Sequence, residues 1–313
     1  MLQTTEKDRS QFNLSAAMSN NAQKVTEYLA DHFSEKAMLN RASVNTGVEA
    51  EVFLSRGRSL GELVESIRYS TLQEGGKRFR PILALFVAEA LGVDVQHVMP
   101  FAAAVECVHT YSLIHDDLPA MDNDDFRRGL PTNHKKFNEA TAILAGDALL
   151  TEAFTILSEA YQGMPVLAVD AIRLLAQAAG AYGMVGGQVI DMRSKKERID
   201  IQELEILHRM KTGALIEVSV MGAAMLCRAS DEQKSDLKIF ARQLGLAFQV
   251  ADDLLDYLPE AIEPGSYPAL LGPEKTKEYL HQLTSQCLQA LSSWSVAAQP
   301  LIEIVHYNQR RLA

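Results

Sequence analysis

The sequence of 313 residues contains little cysteine, one tryptophan and fewer basic than acidic side chains. Its three cysteines are far apart in the chain, which excludes a disulfide framework and the spacing of a zinc site. Thirty basic side chains against forty acidic ones give a net charge of −10, so a nucleic-acid partner is not expected. The uncharged apolar run from Val218 to Cys227 is too short to cross a bilayer. We therefore expect a cytoplasmic protein without a membrane span.

Short alternating strands and internal repeats are also missing, whereas apolar residues recur at helical spacing from Val25 onward. Residues 1–21 are polar and aperiodic, which predicts a flexible tail. Long helices are predicted throughout the rest, for example over residues 201–228 and 230–258. This pattern predicts an all-α fold in which residues 22–313 form a single helical domain.

Five aspartates fall within residues 116–125. Carboxylates this close together repel one another and raise their own pKa values unless cations lie between them. Mg²⁺ is the cation that such oxygen ligands, together with water and substrate phosphates, typically hold. Taken alone, the cluster could also be a solvent-exposed acidic turn.

A second acidic cluster makes the solvent-exposed interpretation less favourable. Gln249, Asp252, Asp253 and Asp256 follow the spacing i, i+3, i+4 and i+7, which places them on one stripe of a helix. The remainder of that helix is largely apolar and is predicted to be buried. The stripe is therefore expected to face an internal, wet cavity, where two aspartate-bearing helices would form a metal-ion clamp.

Basic residues accompany both acidic clusters. The stretch Gly75 to Pro81 places three cations just before a predicted helix, whose N-terminus favours anions. Arg127 and Arg128 directly follow the first acidic cluster and suggest bidentate phosphate binding, although surface charge is the alternative. Lys211 interrupts an apolar helix and needs an anionic partner or a cavity. The combination predicts two phosphorylated substrates, one bound through metal ions that act as Lewis acids on a leaving diphosphate.

These motifs, in this order, resemble the trans-isoprenyl diphosphate synthase family, in particular its bacterial farnesyl diphosphate synthases. The resemblance covers about residues 50–313. It is carried by the segments Gly76 to Pro81, Asp116 to Asp122, Arg127 to Gly129, His134 to Leu150, Gly186 to Asp191, Lys211-Thr212 and Asp252 to Asp256.

The resemblance implies an isoprenoid-synthase bundle of about ten core helices around a deep central cavity, assembled as a homodimer. It implies head-to-tail condensation of isopentenyl diphosphate with dimethylallyl or geranyl diphosphate to give farnesyl diphosphate. The implied cofactor is Mg²⁺, with about three ions per site, some of which arrive with the substrate.

The resemblance also assigns roles to individual residues. The implied metal ligands are Asp116, Asp117, Asp122, Asp252 and Asp256, of which Asp116 and Asp252 are also counted as catalytic. The implied contacts to the isopentenyl diphosphate are Lys77, Arg80, His109 and Arg128. Arg127 and Lys211 would share the allylic diphosphate, and Gln188 is a further substrate contact. The backbone of Lys211 and Thr212, together with Gln249, would help to stabilise the allylic carbocation.

Product length has an expected determinant in Tyr111. In the family, bulk five residues before the first aspartate limits the product, and five helical residues span about 7.5 Å. A tyrosine there would form the floor of the product cavity, the point at which the growing chain stops, and favours a C15 over a C20 product. Ordinary core packing would also explain a tyrosine at this position. A geranylgeranyl diphosphate synthase is therefore the nearest alternative.

One segment departs from the family pattern. Members carry a Gly- and Lys-rich lid after the second aspartate motif, whereas residues 257–266 contain two prolines and no basic residue. Either the lid is short in this protein, or lid residues are missing from this sequence. A short lid predicts slower ionisation and poorer exclusion of water. It also allows a non-catalytic subunit that binds prenyl diphosphates. A class I terpene cyclase is disfavoured by the second set of basic motifs.

Overall fold

The computed structural model describes residues 12–49, 58–260 and 265–311, and it confirms the prediction of an all-α fold. The first helices are α1 (Leu14–His32), α2 (Glu35–Thr46), α3 (Arg58–Thr71), α4 (Phe79–Ala90), α5 (Val95–Asp116), α6 (Asn133–Lys136) and α7 (Glu139–Ala160). They continue as α8 (Pro165–Ala179), α9 (Met184–Ser194), α10 (Ile201–His208), α11 (Ala214–Leu226), α12 (Asp231–Leu255), α13 (Tyr267–Leu271), α14 (Pro273–Ala290) and α15 (Gln299–Arg310). A 3₁₀ turn, Val296–Ala298, precedes α15.

Helix α1 includes part of the stretch that was predicted to be a tail. It begins at Leu14, where the Asn13 side chain accepts a hydrogen bond from the Ala16 N–H at 3.0 Å. Leu14, Asn21 and Val25 are all buried along the helix. Because the polar Asn21 occupies a buried position, the apolar spacing that would have revealed the helix is interrupted.

The chain divides into two compact units. One contains Met1–Ser19, Ile82–Val98 and Val169–Ala313, and the other contains Asn20–Pro81 and Met99–Ala168. We call them the second-motif unit and the first-motif unit, after the aspartate motif that each carries.

In the second-motif unit, α12 is the central helix and packs against α11, α14 and α15. The helix starts with a capping box between Ser230 and Gln233. An apolar cluster at its C-terminal half includes Leu246, Val250 and Tyr267, all of which are buried. This packing fixes the end of the helix that carries the second aspartate motif.

In the first-motif unit, α3 packs against α7, and the first aspartate motif follows α5. The strands β1 (Phe126–Arg127) and β2 (Leu130–Pro131) form a short antiparallel hairpin after that motif. Arg128 and Gly129 connect them with positive φ angles of 53° and 78°, which suits the two central positions of a tight hairpin turn. The hairpin thereby fixes the backbone on either side of Arg128.

Within the described ranges, α7 is long and apolar enough to cross a membrane by length and composition. An uncharged apolar run does not mark this helix in the sequence, because α7 also contains Asp147 and Glu152. This is weak evidence for a membrane span, because a core helix passes the same test, and 39% of its most apolar window is buried.

Candidate active site

The first aspartate motif is a closed turn at the end of α5. The Asp117 N–H donates to the Leu113 carbonyl at 3.1 Å and completes the helix. The chain then turns back, and the Asp122 N–H donates to the Asp116 carbonyl at 2.9 Å. The turn therefore brings Asp116 and Asp122 together, although five residues separate them in the chain.

Asp117 has a different environment from the other aspartates of the motif. It is buried, and both of its carboxylate oxygens accept hydrogen bonds from Arg127, at 2.8 and 3.0 Å from Nε. Burial raises the pKa of Asp117 and Arg127 opposes that rise. Burial lowers the pKa of Arg127, but Asp117 more than offsets this effect. The structure thus joins a predicted metal ligand to a predicted diphosphate ligand, so that Asp117 orients Arg127.

The predicted isopentenyl diphosphate contacts lie together in the first-motif unit. Arg80 Nη1 lies 3.3 Å from His109 Nε2, which accepts the hydrogen bond because a guanidinium can only donate. Burial and the nearby arginines, Arg80 and Arg128 first among them, hold the pKa of His109 well below its usual range. His109 is therefore neutral, and the positive charge of the group comes from its arginines. Lys77, three residues before Arg80 in the chain, is exposed.

In the second-motif unit, Lys211 and Thr212 lie in a π-helical turn, Arg209–Gly213. The predicted helix 201–228 is interrupted there, as is common where a helix carries a functional site. Lys211 Nζ donates to Asp191 Oδ2 at 2.7 Å, so Asp191 is the anionic partner that this lysine needed. The Thr212 hydroxyl donates to Gln249 Oε1 and links the turn to α12.

Helix α9 approaches that turn closely at Gly187. A Cβ atom there would lie 2.2 Å from the Lys211 backbone nitrogen and 2.6 Å from its Cα. A side chain at position 187 would therefore displace the backbone that carries Lys211. The adjacent Gln188 has a buried amide, for which the described residues provide no hydrogen-bonding partner. This leaves the Gln188 amide available to a ligand or to water.

The second aspartate motif is also partly paired with other residues. Asp252 Oδ1 accepts a hydrogen bond from Arg311 Nη2, and the Arg311 guanidinium lies 5.6 Å from the Phe248 ring centroid. Asp253 accepts the Tyr267 N–H at 2.8 Å, so it anchors α13. Asp256 is exposed and follows the last residue of α12.

The donors of both motifs suit Mg²⁺ in chemistry, since all are carboxylate oxygens. Within the described part of the chain, no three acidic, histidine or cysteine side chains are close enough to form a ready metal cage. That is compatible with Mg²⁺, which usually takes one or two carboxylates and completes its shell with water and substrate phosphates. The closed turn holding Asp116 and Asp122 provides such a pair. The clamp joining the two motifs stays a prediction.

The structure also identifies charged residues that the sequence analysis left without a role. Arg78 and Glu106 form a buried ion pair of 2.8 Å, and Arg311 pairs with Asp252. Asp191, which ends the motif Gly186 to Asp191, pairs with Lys211. The partners of these pairs are distant in the chain, so helical spacing gives no signal of the pairing.

The fold and these residues define an all-α enzyme built for diphosphate chemistry. The family model "Polyprenyl synthetase" matches residues 61–265, and the chain belongs to this family. The resemblance drawn from the motifs is confirmed, as is the prediction of a prenyltransferase.

The similarity extends over nearly whole proteins. The chain is 39% identical to a farnesyl diphosphate synthase of Micrococcus luteus, with 88% of this chain and 98% of the relative covered. It is 40% identical to geranylgeranyl pyrophosphate synthase 7, chloroplastic, of Arabidopsis thaliana, with 88% of this chain and 83% of the relative covered. The apo crystal structure of an FPP/GFPP synthase from Zymomonas mobilis superposes with a TM-score of 0.80 at 36% identity. The match covers 94% of this chain and 98% of that one.

Replacing Gly187 with alanine tests the close approach of α9 to the π-helical turn. We expect Gly187→Ala to lower the free energy of unfolding by about 1–3 kcal/mol, because the new methyl group overlaps the Lys211 backbone. The matched control is Gly163→Ala, since a Cβ there meets nothing within 4 Å. The control should change stability by less than about 0.5 kcal/mol. Urea denaturation measures both, and equal stabilities would contradict the close approach.

Proposed function

We propose that the protein condenses isopentenyl diphosphate head-to-tail with dimethylallyl or geranyl diphosphate and releases farnesyl diphosphate. The observation that carries this proposal is the group of Arg80, His109 and Arg128, which can bind one diphosphate without a metal ion. The acidic turn of the same unit then serves a second diphosphate through Mg²⁺. An enzyme with one diphosphate substrate would not need both groups. The farnesyl diphosphate synthases among the relatives support the same reaction.

Asp116, Asp122, Asp252 and Asp256 would hold the Mg²⁺ ions, with Asp117 orienting Arg127. When bound, the ions supply Lewis-acid stabilisation of the leaving diphosphate. Lys211 and Arg127 add positive charge to that diphosphate, which requires Lys211 to exchange Asp191 for the substrate. The residues contribute by holding opposite charge where negative charge develops.

In the reaction, the allylic C–O bond breaks and leaves a carbocation beside the departing diphosphate. The double bond of isopentenyl diphosphate supplies the electron pair of the new C–C bond. The departed diphosphate accepts the proton that restores a double bond. Thr212 and Gln249, joined by their hydrogen bond, stabilise the carbocation with their oxygen atoms. Gln188 contacts the substrate through its buried amide.

The first experiment measures products by mass spectrometry after the pure protein has been incubated with isopentenyl and geranyl diphosphates. We expect a C15 diphosphate with Mg²⁺ and none after EDTA treatment, because ionisation depends on the metal. Product formation in EDTA would contradict the metal assignment. Binding of both substrates without any product would favour a non-catalytic subunit, as a short lid allows. The centre of the lid, residues 261–264, lies outside the described residues, so the short lid stays a prediction.

A C20 synthase is the second candidate, since several relatives are geranylgeranyl pyrophosphate synthases. Tyr111 supports the C15 product. It lies on α5, is 6% exposed, and packs edge-to-face on His115 at 5.7 Å between ring centroids. Burial raises the pKa of Tyr111 to about 12, so its ring stays neutral. A large, neutral ring one to two turns before Asp116 suits a floor against which a growing chain stops.

Tyr111→Ala tests this floor. We expect products longer than C15, because the lost ring leaves space along α5, with a mass increase of one or more isoprene units. Val296→Ala is the control, since Val296 lies on the 3₁₀ turn before α15, is 54% exposed and has no assigned role, and its product should stay C15. A C15 product from Tyr111→Ala would leave Tyr111 as ordinary core packing.

We propose that the protein is a homodimer. Helix α9 and the turn before it expose large apolar side chains, among them Tyr182, Val185 and Val189. A cluster of exposed apolar residues favours contact with another protein surface. Light scattering should give about twice the monomer mass of 34.5 kDa, and the monomer mass would contradict a dimer.

We place the reaction in the cytoplasm. Cys107, Cys227 and Cys287 are free thiols, and the first and third are buried. Burial, with the nearby Glu106, raises the pKa of Cys107 well above its usual range. Free thiols of this kind suit a reducing compartment.

A further inference from the structure

Arg78 and Glu106 form a buried ion pair beneath the proposed isopentenyl diphosphate contacts. Arg78 Nη1 lies 2.8 Å from Glu106 Oε1, and both side chains are 2% exposed. Arg78 Nη2 also donates to the Thr71 carbonyl at the end of α3, and Nε lies 3.5 Å from Thr26 Oγ1 on α1. The Arg78 side chain therefore points into the unit and joins α1, α3 and α5, rather than extending into solvent.

The backbone at Arg78 also depends on this anchoring. Its φ angle is +47°, in the left-handed region that is unfavourable for a residue with a side chain. Such a conformation persists where surrounding contacts over-determine it. Arg78 stands between Lys77 and Arg80, so its conformation sets the direction in which both of these substrate contacts leave the turn.

Glu106 is also the negative charge to which the neighbouring arginines respond. Burial lowers the pKa of Arg80 and of Arg128, and Glu106 opposes that fall for both. A Cβ atom at Gly76 would lie 2.7 Å from Nη1 of both Arg78 and Arg128, so the two guanidinium groups converge on one point of the turn. Two guanidinium groups held this close repel each other unless a carboxylate accompanies them.

We propose that Arg78 and Glu106 are a positioning pair for the isopentenyl diphosphate site. Glu106 fixes Arg78 and balances Arg80 and Arg128 before the substrate binds, while neither member of the pair touches the substrate. This inference rests on the proposed function, because that function defines Arg80, His109 and Arg128 as the contacts of one substrate. The pair thereby governs the affinity for isopentenyl diphosphate and leaves the allylic substrate unaffected.

The test is the double variant Arg78→Met/Glu106→Leu. Removing one member alone would leave a buried, unpaired charge and could unfold the chain, whereas two apolar side chains of similar length fill the same space. We expect a folded protein whose KM for isopentenyl diphosphate rises about tenfold, because a displaced Arg80 or Arg128 would lose about one charge-assisted contact with the diphosphate. The KM for geranyl diphosphate should stay within about twofold. The matched control is Arg173→Met/Asp170→Leu, which removes an exposed pair and should change neither KM.

Other outcomes are equally decisive. A folded double variant with an unchanged KM for isopentenyl diphosphate overturns the proposal, because the pair would then serve packing alone. If the double variant does not fold, Arg78→Gln/Glu106→Gln removes both charges and leaves two polar side chains that can hydrogen-bond to each other, and the same selective rise in KM is expected.

If the wild type forms no product, the proposed function fails. The positioning role is then tested separately, by calorimetric measurement of the binding of inorganic diphosphate without metal. Weaker binding by the variant supports the positioning role, whereas equal binding contradicts it.

Discussion

Charge compensation within each unit is the constraint on which the rest of the candidate site depends. The proposed reaction would need several carboxylates and several cations, and like charges that lie close together repel one another. In the described structure, four of the charged groups of the proposed site have a side chain of opposite charge as a partner. Asp117 holds Arg127, Asp191 holds Lys211, Arg311 holds Asp252, and Glu106 holds Arg78.

These pairs differ in how easily a substrate could replace one partner. Lys211 and Asp191 are both partly exposed, and so are Arg311 and Asp252. A diphosphate or a metal ion carries more charge than the side chain that it would displace, so exchange at these pairs is favourable. Arg78 and Glu106 are inaccessible, and Asp117 is nearly so. The accessible pairs are therefore suited to exchange with ligands, and the buried ones to holding the geometry.

The sequence predicts the parts of this arrangement that depend on short-range spacing. The stripe of Gln249, Asp252 and Asp256 follows from helical periodicity, and the all-α fold follows from the long apolar patterns. The charge pairs could not be predicted in the same way, since Arg311 and Asp252 are 59 residues apart and Arg78 and Glu106 are 28. The sequence shows that Lys211 needs an anionic partner but does not identify it, because that partner, Asp191, is 20 residues away on α9. The position of α9 depends on the close packing at Gly187, which only the tertiary structure shows.

The buried pairs are better explained by positioning than by stability. Moving two charges out of water costs about as much as their attraction returns, so a well-packed apolar pair would stabilise the fold equally well or better. The left-handed backbone at Arg78 adds a further cost of about 1 kcal/mol or more. This arrangement is neutral or unfavourable for folding, and the Arg78 guanidinium lies close to that of Arg128. It is accounted for by its effect on the proposed substrate contacts. It holds cationic groups at fixed positions in a dry environment, where an arriving diphosphate meets them without a reorganisation cost.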